Sequence, residues 1–140
     1  MARPHLFQPL LARSPLDWRL VNSTRDVTLA GRIEAAFDSE SRRKGLLGRQ
    51  ALAPDAVLAI APSNAIHTFG MQFPIDVLFI SRDGRVLKRL LALKARRIAI
   101  SLRAFAVLEF AAGNAAVAVT RAGDRLGFQA VPPIATTSPA

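Results

Sequence analysis

The sequence predicts a mainly β fold, namely a single-domain β-sandwich or partly open barrel with one or two short helices. About seven or eight short apolar runs recur at spacings of roughly ten residues, with turn residues between them. The regular strand–helix alternation of a nucleotide-binding α/β sheet is missing, and so are GxGxxG and P-loop sequences. With 140 residues, 51% of them hydrophobic and 21% charged, the chain has the size and composition of one globular domain.

Three segments are expected along the chain. Residues 1–16 hold three prolines and no periodic pattern, which predicts an extended N-terminal arm. Residues 17–131 form the β domain, and residues 132–140 are expected to be a disordered C-terminal tail. No apolar run approaches the roughly 20 residues of a spanning helix, and the N-terminus lacks a convincing signal-peptide cleavage site. We therefore expect a soluble, cytoplasmic protein without a transmembrane segment.

The first half of the β domain is expected to contain two strands and a helix. Residues 18–21 suit a short strand, and residues 27–37 partly alternate between apolar and polar positions, as a half-buried strand does. Asp38 and Ser39 are good N-caps for a short helix from about Glu40. Gly48 is a natural residue just past its end.

The second half is expected to be almost entirely strands. They are predicted at residues 57–61, 66–73, 75–80, 86–93, 104–110 and 125–131, with one or two helical turns within residues 111–119. The run 75–80 is apolar at nearly every position, which indicates a central strand covered on both faces. Asp83-Gly84 predicts a tight hairpin turn into the run 86–93, because this dipeptide tolerates the positive φ angles of such turns.

Three blocks, in order, carry a resemblance to a known family. They are Arg42-Arg43-Lys44-Gly45-Leu46-Leu47-Gly48-Arg49; then Phe69-Gly70-Met71, Pro74-Ile75-Asp76 and Asp83-Gly84; and finally Leu108-Glu109, Gly113 and Gly123-Asp124. Over residues 27–130 the chain resembles the domain-of-unknown-function family 192, also called uncharacterised protein family 0127. Leu47 and Gly70 depart from its usual Met and Trp. The resemblance implies a compact, mainly β domain and brings no established activity.

Two carboxylates, Asp76 and Glu109, lie inside apolar strands and are interpreted as structural buried charges. A buried charge requires a partner, and arginine suits partly buried pairs. Arg42 and Arg49 are seven residues apart, so they share a face if the helix continues that far. Two interpretations stay open: one of these arginines pairs with Asp76 or Glu109, or both arginines hold a carboxylate or phosphate ligand.

His67, Phe69 and Met71 alternate along one face of the run 66–73. The apolar side chains belong either to the core or to a ligand-binding mouth in which His67 is the polar member. If Pro74 marks a hairpin turn, His67 lies too far from Asp76 for an acid–base pair. We therefore assign no catalytic residue. The absence of cysteine, the presence of only two histidines and the scattered acids predict no metal site and no cofactor.

The chain is strongly basic, with a formal net charge of +9. A stretch with no acid carries the basic residues Arg85, Lys88, Arg89, Lys94, Arg96, Arg97 and Arg103. Such a stretch could follow a phosphate backbone, although it contains no aromatic residue for base stacking. A solvated, charge-guarded sheet edge explains it as well.

The sequence therefore favours a non-enzymatic binding or accessory domain for an anionic small molecule or acidic peptide. Arg42, Arg49, His67, Phe69 and Met71 are its candidate ligand-binding residues. One alternative is a nucleic-acid-associated protein that uses residues 85–103. Another is a hydrolase or isomerase that uses His67 with Asp76 or Glu109.

Overall fold

The computed structural model describes residues 5–11 and 17–131. Its elements, in chain order, are α1 (Gln8–Leu11), β1 (Asp17–Asn22), β2 (Val27–Ala30), β3 (Arg32–Ala36), α2 (Ser39–Lys44), β4 (Ala56–Ile60), β5 (Ala65–His67), β6 (Ile75–Ile80), β7 (Val86–Leu93), β8 (Ile98–Ile100), β9 (Ala106–Ala111), α3 (Ala115–Val119) and β10 (Leu126–Val131). The prediction of a mainly β fold with short helices is confirmed. The sheets are open, and the described residues form no closed barrel.

The strands form three sheets. A five-stranded sheet has the order β3-β4-β9-β6-β7, a three-stranded sheet the order β10-β1-β2, and β5 pairs with β8. Within the five-stranded sheet, β3 and β4 are parallel and the other neighbours are antiparallel. Helix α2 lies between β3 and β4 in the chain, so the fold contains one strand–helix–strand crossover that the sequence analysis did not predict.

The five-stranded sheet is covered on both faces, which explains its apolar central strands. On one face, Leu78, Leu108 and Phe110 share a core cluster with Leu20 and Leu29 of the three-stranded sheet. On the other face, Leu58, Val77 and Val107 pack in a second cluster with Leu46 and Leu52 from the segment after α2. All six residues of β6 are buried, as the apolar run 75–80 predicted.

A bend at Gly31 divides the strand predicted for residues 27–37. The backbone amides of Gly31 and Arg32 both donate hydrogen bonds to the Asp55 carbonyl, at 2.8 and 3.1 Å. Strand β2 before this bend pairs with β1, whereas β3 after it pairs with β4. The chain thus passes from one sheet to the other within a run whose apolar pattern continues.

Helix α2 begins as predicted and ends earlier. The Asp38 side chain caps it by accepting a 2.8 Å hydrogen bond from the Ser41 amide. The helix stops at Lys44, because Gly45 adopts a positive φ of 48°. Arg49 lies beyond the helix, so the condition under which Arg42 and Arg49 would share a helical face is not met.

The run predicted as one strand over residues 66–73 is mostly a turn. Only the three residues of β5 are extended, and they pair with β8, a strand that the sequence analysis did not predict. Thr68 fixes this turn to the β7–β8 connection: its hydroxyl donates to the Lys94 carbonyl at 2.6 Å, and its amide donates to the Arg97 carbonyl at 2.8 Å. Runs 66–73 and 75–80 therefore do not form the hairpin around Pro74 that was considered as one geometry for His67 and Asp76.

The N-terminal segment contributes to the core where the structure describes it. Phe7 is 1% exposed, and its ring lies 5.4 Å from that of Phe37 and 5.7 Å from that of Phe128. Helix α1 follows it, in a segment for which an extended arm was predicted. The predicted C-terminal tail lies outside the described residues. No helix among the described residues is long and apolar enough to cross a membrane.

Candidate functional site

A pocket of about 270 Å³ lies between α2, β5 and the face of the five-stranded sheet that carries the second core cluster. Its walls come from the C-terminal half of α2 and the turn after it, from the segment after β4, and from β5 and the following turn. Glu109 enters it from β9, near the middle of the sheet. The lining residues are Arg42, Arg43, Lys44, Gly45, Leu46, Leu47, Ile60, Pro62, Ser63, Ala65, Ile66, His67, Met71 and Glu109.

Glu109 is the acidic group of this pocket. In the sheet it lies directly between Leu58 of β4 and Val77 of β6, and it is only 5% exposed. No described residue forms an ion pair with it. Burial raises the pKa of Glu109 to about 7, while the positive charge of Arg49 acts in the opposite direction. A carboxyl group with this pKa exchanges its proton near neutral pH.

Cations from α2 form one side of the pocket. Arg42 is held in place, because its Nη1 donates a 2.7 Å hydrogen bond to the Phe37 carbonyl. Arg43 and Lys44 are exposed, and neither forms an ion pair with a described residue. The helix ends at this point, so three consecutive cations reach the pocket from a single turn.

His67 lies at the rim, at the end of β5. Its side chain is exposed, and its ring lies 5.8 Å from that of Phe69 with a 40° tilt between the two planes. Phe69 is 50% exposed and does not line the pocket, whereas Met71 does. The pocket therefore brings together Arg42, His67 and Met71 of the five candidate ligand-binding residues.

Arg49 is engaged outside the pocket. Its Nη1 lies 2.7 Å from the Glu34 carboxylate, and both side chains are more than a third exposed. Glu34 and Glu109 are aligned on either side of Leu58 in the sheet register. This explains how Arg49 lowers the pKa of Glu109 without pairing with it. Arg49 shapes the electrostatic potential beside the pocket and is not a lining residue.

Asp76 is buried as predicted, at 2% exposure, but no arginine pairs with it. Its Oδ1 accepts a hydrogen bond from the Ala92 amide at 2.8 Å. Its Oδ2 accepts hydrogen bonds from the Gly113 and Asn114 amides at 3.1 Å each. The arginine pairing predicted for Asp76 is wrong, because backbone amides at the ends of β7 and β9 supply the donors.

The predicted basic surface is divided. Neighbouring residues of β7 point to opposite faces, as in any strand: Lys88 donates to the Ile100 carbonyl at 3.1 Å, whereas Arg89 donates to the Ala118 and Thr120 carbonyls at the end of α3. Arg85 forms an isolated backbone bridge with Arg125. The remaining members, Lys94, Arg96, Arg97 and Arg103, are exposed around β8.

The position of Glu109 in the pocket was not recognised from the sequence. Glu109 was interpreted as a structural charge, and only the alternative of a hydrolase or isomerase placed it beside His67; its position in one pocket with Arg42 was not predicted. Its only sequence feature is an acid inside the apolar run 106–111. Within residues 5–11 and 17–131, no group of three or more His, Cys, Asp or Glu side chains could hold a metal ion.

Comparisons with known proteins support the fold. A protein of unknown function from Novosphingobium aromaticivorans DSM 12444 has a solved structure with a TM-score of 0.65 and 21% identity, over 78% of this chain and 81% of that chain. A second solved structure, from Sinorhizobium meliloti 1021, has a TM-score of 0.65 and 26% identity, over 81% of this chain and 91% of that chain. This second protein carries a provisional name as a transcription regulator.

No curated protein matches the sequence significantly. The family described as DUF192, Uncharacterized ACR, COG1430 matches residues 20–128. This match covers the five-stranded sheet, part of the three-stranded sheet and all of the pocket. The chain therefore belongs to the DUF192 family of uncharacterised proteins.

Proposed function

We propose that this protein is a non-enzymatic binding domain that holds a small organic anion in the Glu109 pocket. The observation that carries this proposal is the arrangement of three cations of α2 and a buried carboxyl group around one cavity. The cavity is slightly smaller than the roughly 300–1,000 Å³ of pockets for drug-sized ligands. A small metabolite carrying a carboxylate or phosphate group suits this size and charge.

The cationic side of the pocket supports binding of the ligand's anionic group. Arg43 and Lys44 are exposed and their charges are not neutralised by a described acid. Arg42, held by the Phe37 carbonyl, presents a guanidinium group in a defined position. Hydrogen bonds between charged partners are roughly twice as strong as neutral ones. The anionic group is therefore expected at the α2 side, close to the solvent opening.

Glu109 supports binding of a second polar group deeper in the pocket. With a pKa of about 7, it is protonated in a large share of molecules at neutral pH. In that state it can donate a hydrogen bond to a ligand oxygen, and it adds no negative charge that would repel an anion. Anion binding should therefore strengthen as the pH falls through 7.

Calorimetric titration with succinate, pyruvate and inorganic phosphate tests this proposal. Binding of at least one probe should weaken when Arg43 and Lys44 are both replaced by alanine. For pyruvate, whose own charge is constant around pH 7, Glu109→Gln should remove the pH dependence of binding that Glu109 contributes. Arg121→Ala is the matched control, because Arg121 is an exposed arginine outside the pocket. If the control weakens binding as much as the α2 variants do, the pocket is not the site of binding and the proposal is wrong.

A second candidate function is acid–base catalysis on the bound anion, which rests on Glu109 and His67 lining the same pocket. Burial brings the pKa of Glu109 to about 7, and the imidazole of histidine is the most frequent general acid or base in enzymes. In D₂O, an enzyme of this kind would exchange the methyl protons of pyruvate, which NMR detects directly. Exchange that disappears in both Glu109→Gln and His67→Ala would favour catalysis over simple binding.

Nucleic-acid binding through residues 85–103 has less support. The Sinorhizobium protein is provisionally named a transcription regulator. In this chain, however, Arg89 faces α3 and Lys88 faces β8, so these cations do not form one continuous groove. Amide NMR titration with a random single-stranded oligonucleotide at low and near-physiological salt tests this alternative. Shifts in residues 85–103 that survive the higher salt would favour it.

A further inference from the structure

We propose that the outer face of the β5–β8 sheet docks onto an anionic lipid bilayer. This surface, called the β8 face below, consists of Phe69, Ile98, Ile100 and Leu102. Their side chains are 50%, 66%, 48% and 82% exposed, respectively. The inference concerns a surface outside the Glu109 pocket and does not depend on what the pocket binds.

The sheet register places these apolar side chains together. Ile98 and Ile100 point outward, while Ala99 between them is buried at 4% exposure. Ile98 pairs with His67, whose ring lies beside that of Phe69 at 5.8 Å. Leu102 follows in the turn directly after β8. The β8 face therefore groups four exposed apolar residues around one short strand, and exposed apolar patches in soluble domains commonly mark an interaction site.

The two faces of the β5–β8 sheet differ in burial, although both carry apolar side chains. Ala99 and Ile66 pack into the second core cluster, against residues of the five-stranded sheet. A half-buried strand usually carries polar residues on its solvent side. In β8, both outward positions are instead isoleucine, whose exposure to water is less favourable than that of a polar side chain.

Charge around the β8 face indicates an anionic partner. Lys94, Arg96, Arg97 and Arg103 flank β8 in the chain and are exposed. There is no acidic residue between positions 84 and 108. A second copy of the chain is an unfavourable partner, because it would bring two like-charged surfaces together in a protein with a net charge of +9.

The combination of aliphatic and basic side chains selects a bilayer over a nucleic acid. Interfacial membrane binding uses apolar side chains that enter the headgroup region and cations that attract anionic lipids. Nucleic-acid surfaces use aromatic side chains on which bases stack. Three of the four apolar members of the β8 face are aliphatic.

Co-sedimentation with vesicles tests the proposal on the full chain. The protein should bind vesicles of equal parts phosphatidylglycerol and phosphatidylcholine, and should not bind vesicles of phosphatidylcholine alone. The double variant Ile98→Ser/Leu102→Ser should bind at least about tenfold more weakly, because burial of one such side chain accounts for that much. Both residues are exposed, so the variant is expected to fold, which circular dichroism and the melting temperature verify.

Val119→Ser is the matched control. Val119 is 46% exposed on α3, which packs against the other core cluster, and its replacement should leave vesicle binding unchanged. The proposal is overturned if the double variant binds mixed vesicles as tightly as the wild type near physiological salt. It is also overturned if the β8 face instead governs binding to an oligonucleotide, or if wild-type protein fails to bind the mixed vesicles.

Discussion

Replacing Asp76 with alanine is expected to lower the free energy of unfolding by about 3–5 kcal/mol. The substitution removes the acceptor of three backbone amides, those of Ala92, Gly113 and Asn114. Hydrogen bonds to a charged group contribute about 1.5–3 kcal/mol each, which sets an upper range of about 5–9 kcal/mol. Ala92 and Gly113 lie at the surface, so water can reach part of this site in the variant and reduce the loss.

Urea unfolding followed by the fluorescence of Trp18 measures this loss, since the chain contains one tryptophan. Asp76→Asn should be destabilised by about 2 kcal/mol, because its amide group places a donor against at least one backbone N–H. The slope of the free energy against urea should stay unchanged if the loss arises in the folded state.

Asp55→Ala is the matched control for the removal of a carboxylate. Asp55 forms a 3.3 Å ion pair with Arg32, and both side chains are more than half exposed. Such pairs contribute about 0–1 kcal/mol. If Asp76→Ala is no more destabilising than Asp55→Ala, water replaces the carboxylate without penalty and our account of the buried site is wrong.

Three further predictions follow from the site and from α3. Burial raises the pKa of Glu109 from its ordinary 4.5 to about 7, so the folded state binds more protons between these values. The free energy of unfolding should therefore fall by about 3 kcal/mol as the pH rises from about 4 to 8, and this fall should be absent in Glu109→Gln. Urea unfolding of both proteins at several pH values measures the difference. Equal pH profiles would contradict the raised pKa of Glu109. Arg49→Ala should move the titration of Glu109 to higher pH, because the positive charge of Arg49 lowers the pKa of Glu109. The carboxyl ¹³C chemical shift of Glu109, followed against pH, gives the titration midpoint. An unchanged midpoint would show that the charge of Arg49 has no effect on Glu109. Asn114→Ala should lower the free energy of unfolding by about 1–2 kcal/mol, measured in urea or thermal unfolding, since Asn114 caps α3 and its side chain donates to the Leu29 carbonyl. Asn114→Ser should lower it by less, because serine also caps helices. Equal losses in the two variants would indicate that the cap contributes little to stability.

The strand predictions were most accurate where a local pattern and a turn signal agreed. The runs 75–80 and 86–93 coincide with β6 and β7, joined across Asp83-Gly84. Asp38 caps α2 because capping depends only on a side chain and amides within one turn. These features depend on residues that are close together in the chain.

The candidate site was predicted less completely, for a physical reason. Arg42 and His67 were named as ligand-binding residues, and both line the pocket; Phe69 and Arg49 were named with them, and neither does. The difference arises from two local events that apolar periodicity does not encode. Gly45 ends α2 before Arg49, and the turn after β5 carries Phe69 away from the pocket.

The sequence by itself determined the mainly β class, the doubly covered central strand, the hairpin and the N-cap of α2, because each follows from periodicity or turn chemistry over a few residues. Only the tertiary structure decided that β5 pairs with β8, that backbone amides satisfy Asp76, and that Glu109 shares a pocket with Arg42. The physical reason is chain separation: Asp76 and its donor Gly113 are 37 residues apart. Such partners meet only when whole sheets assemble, and no local pattern specifies which buried acid meets which donor.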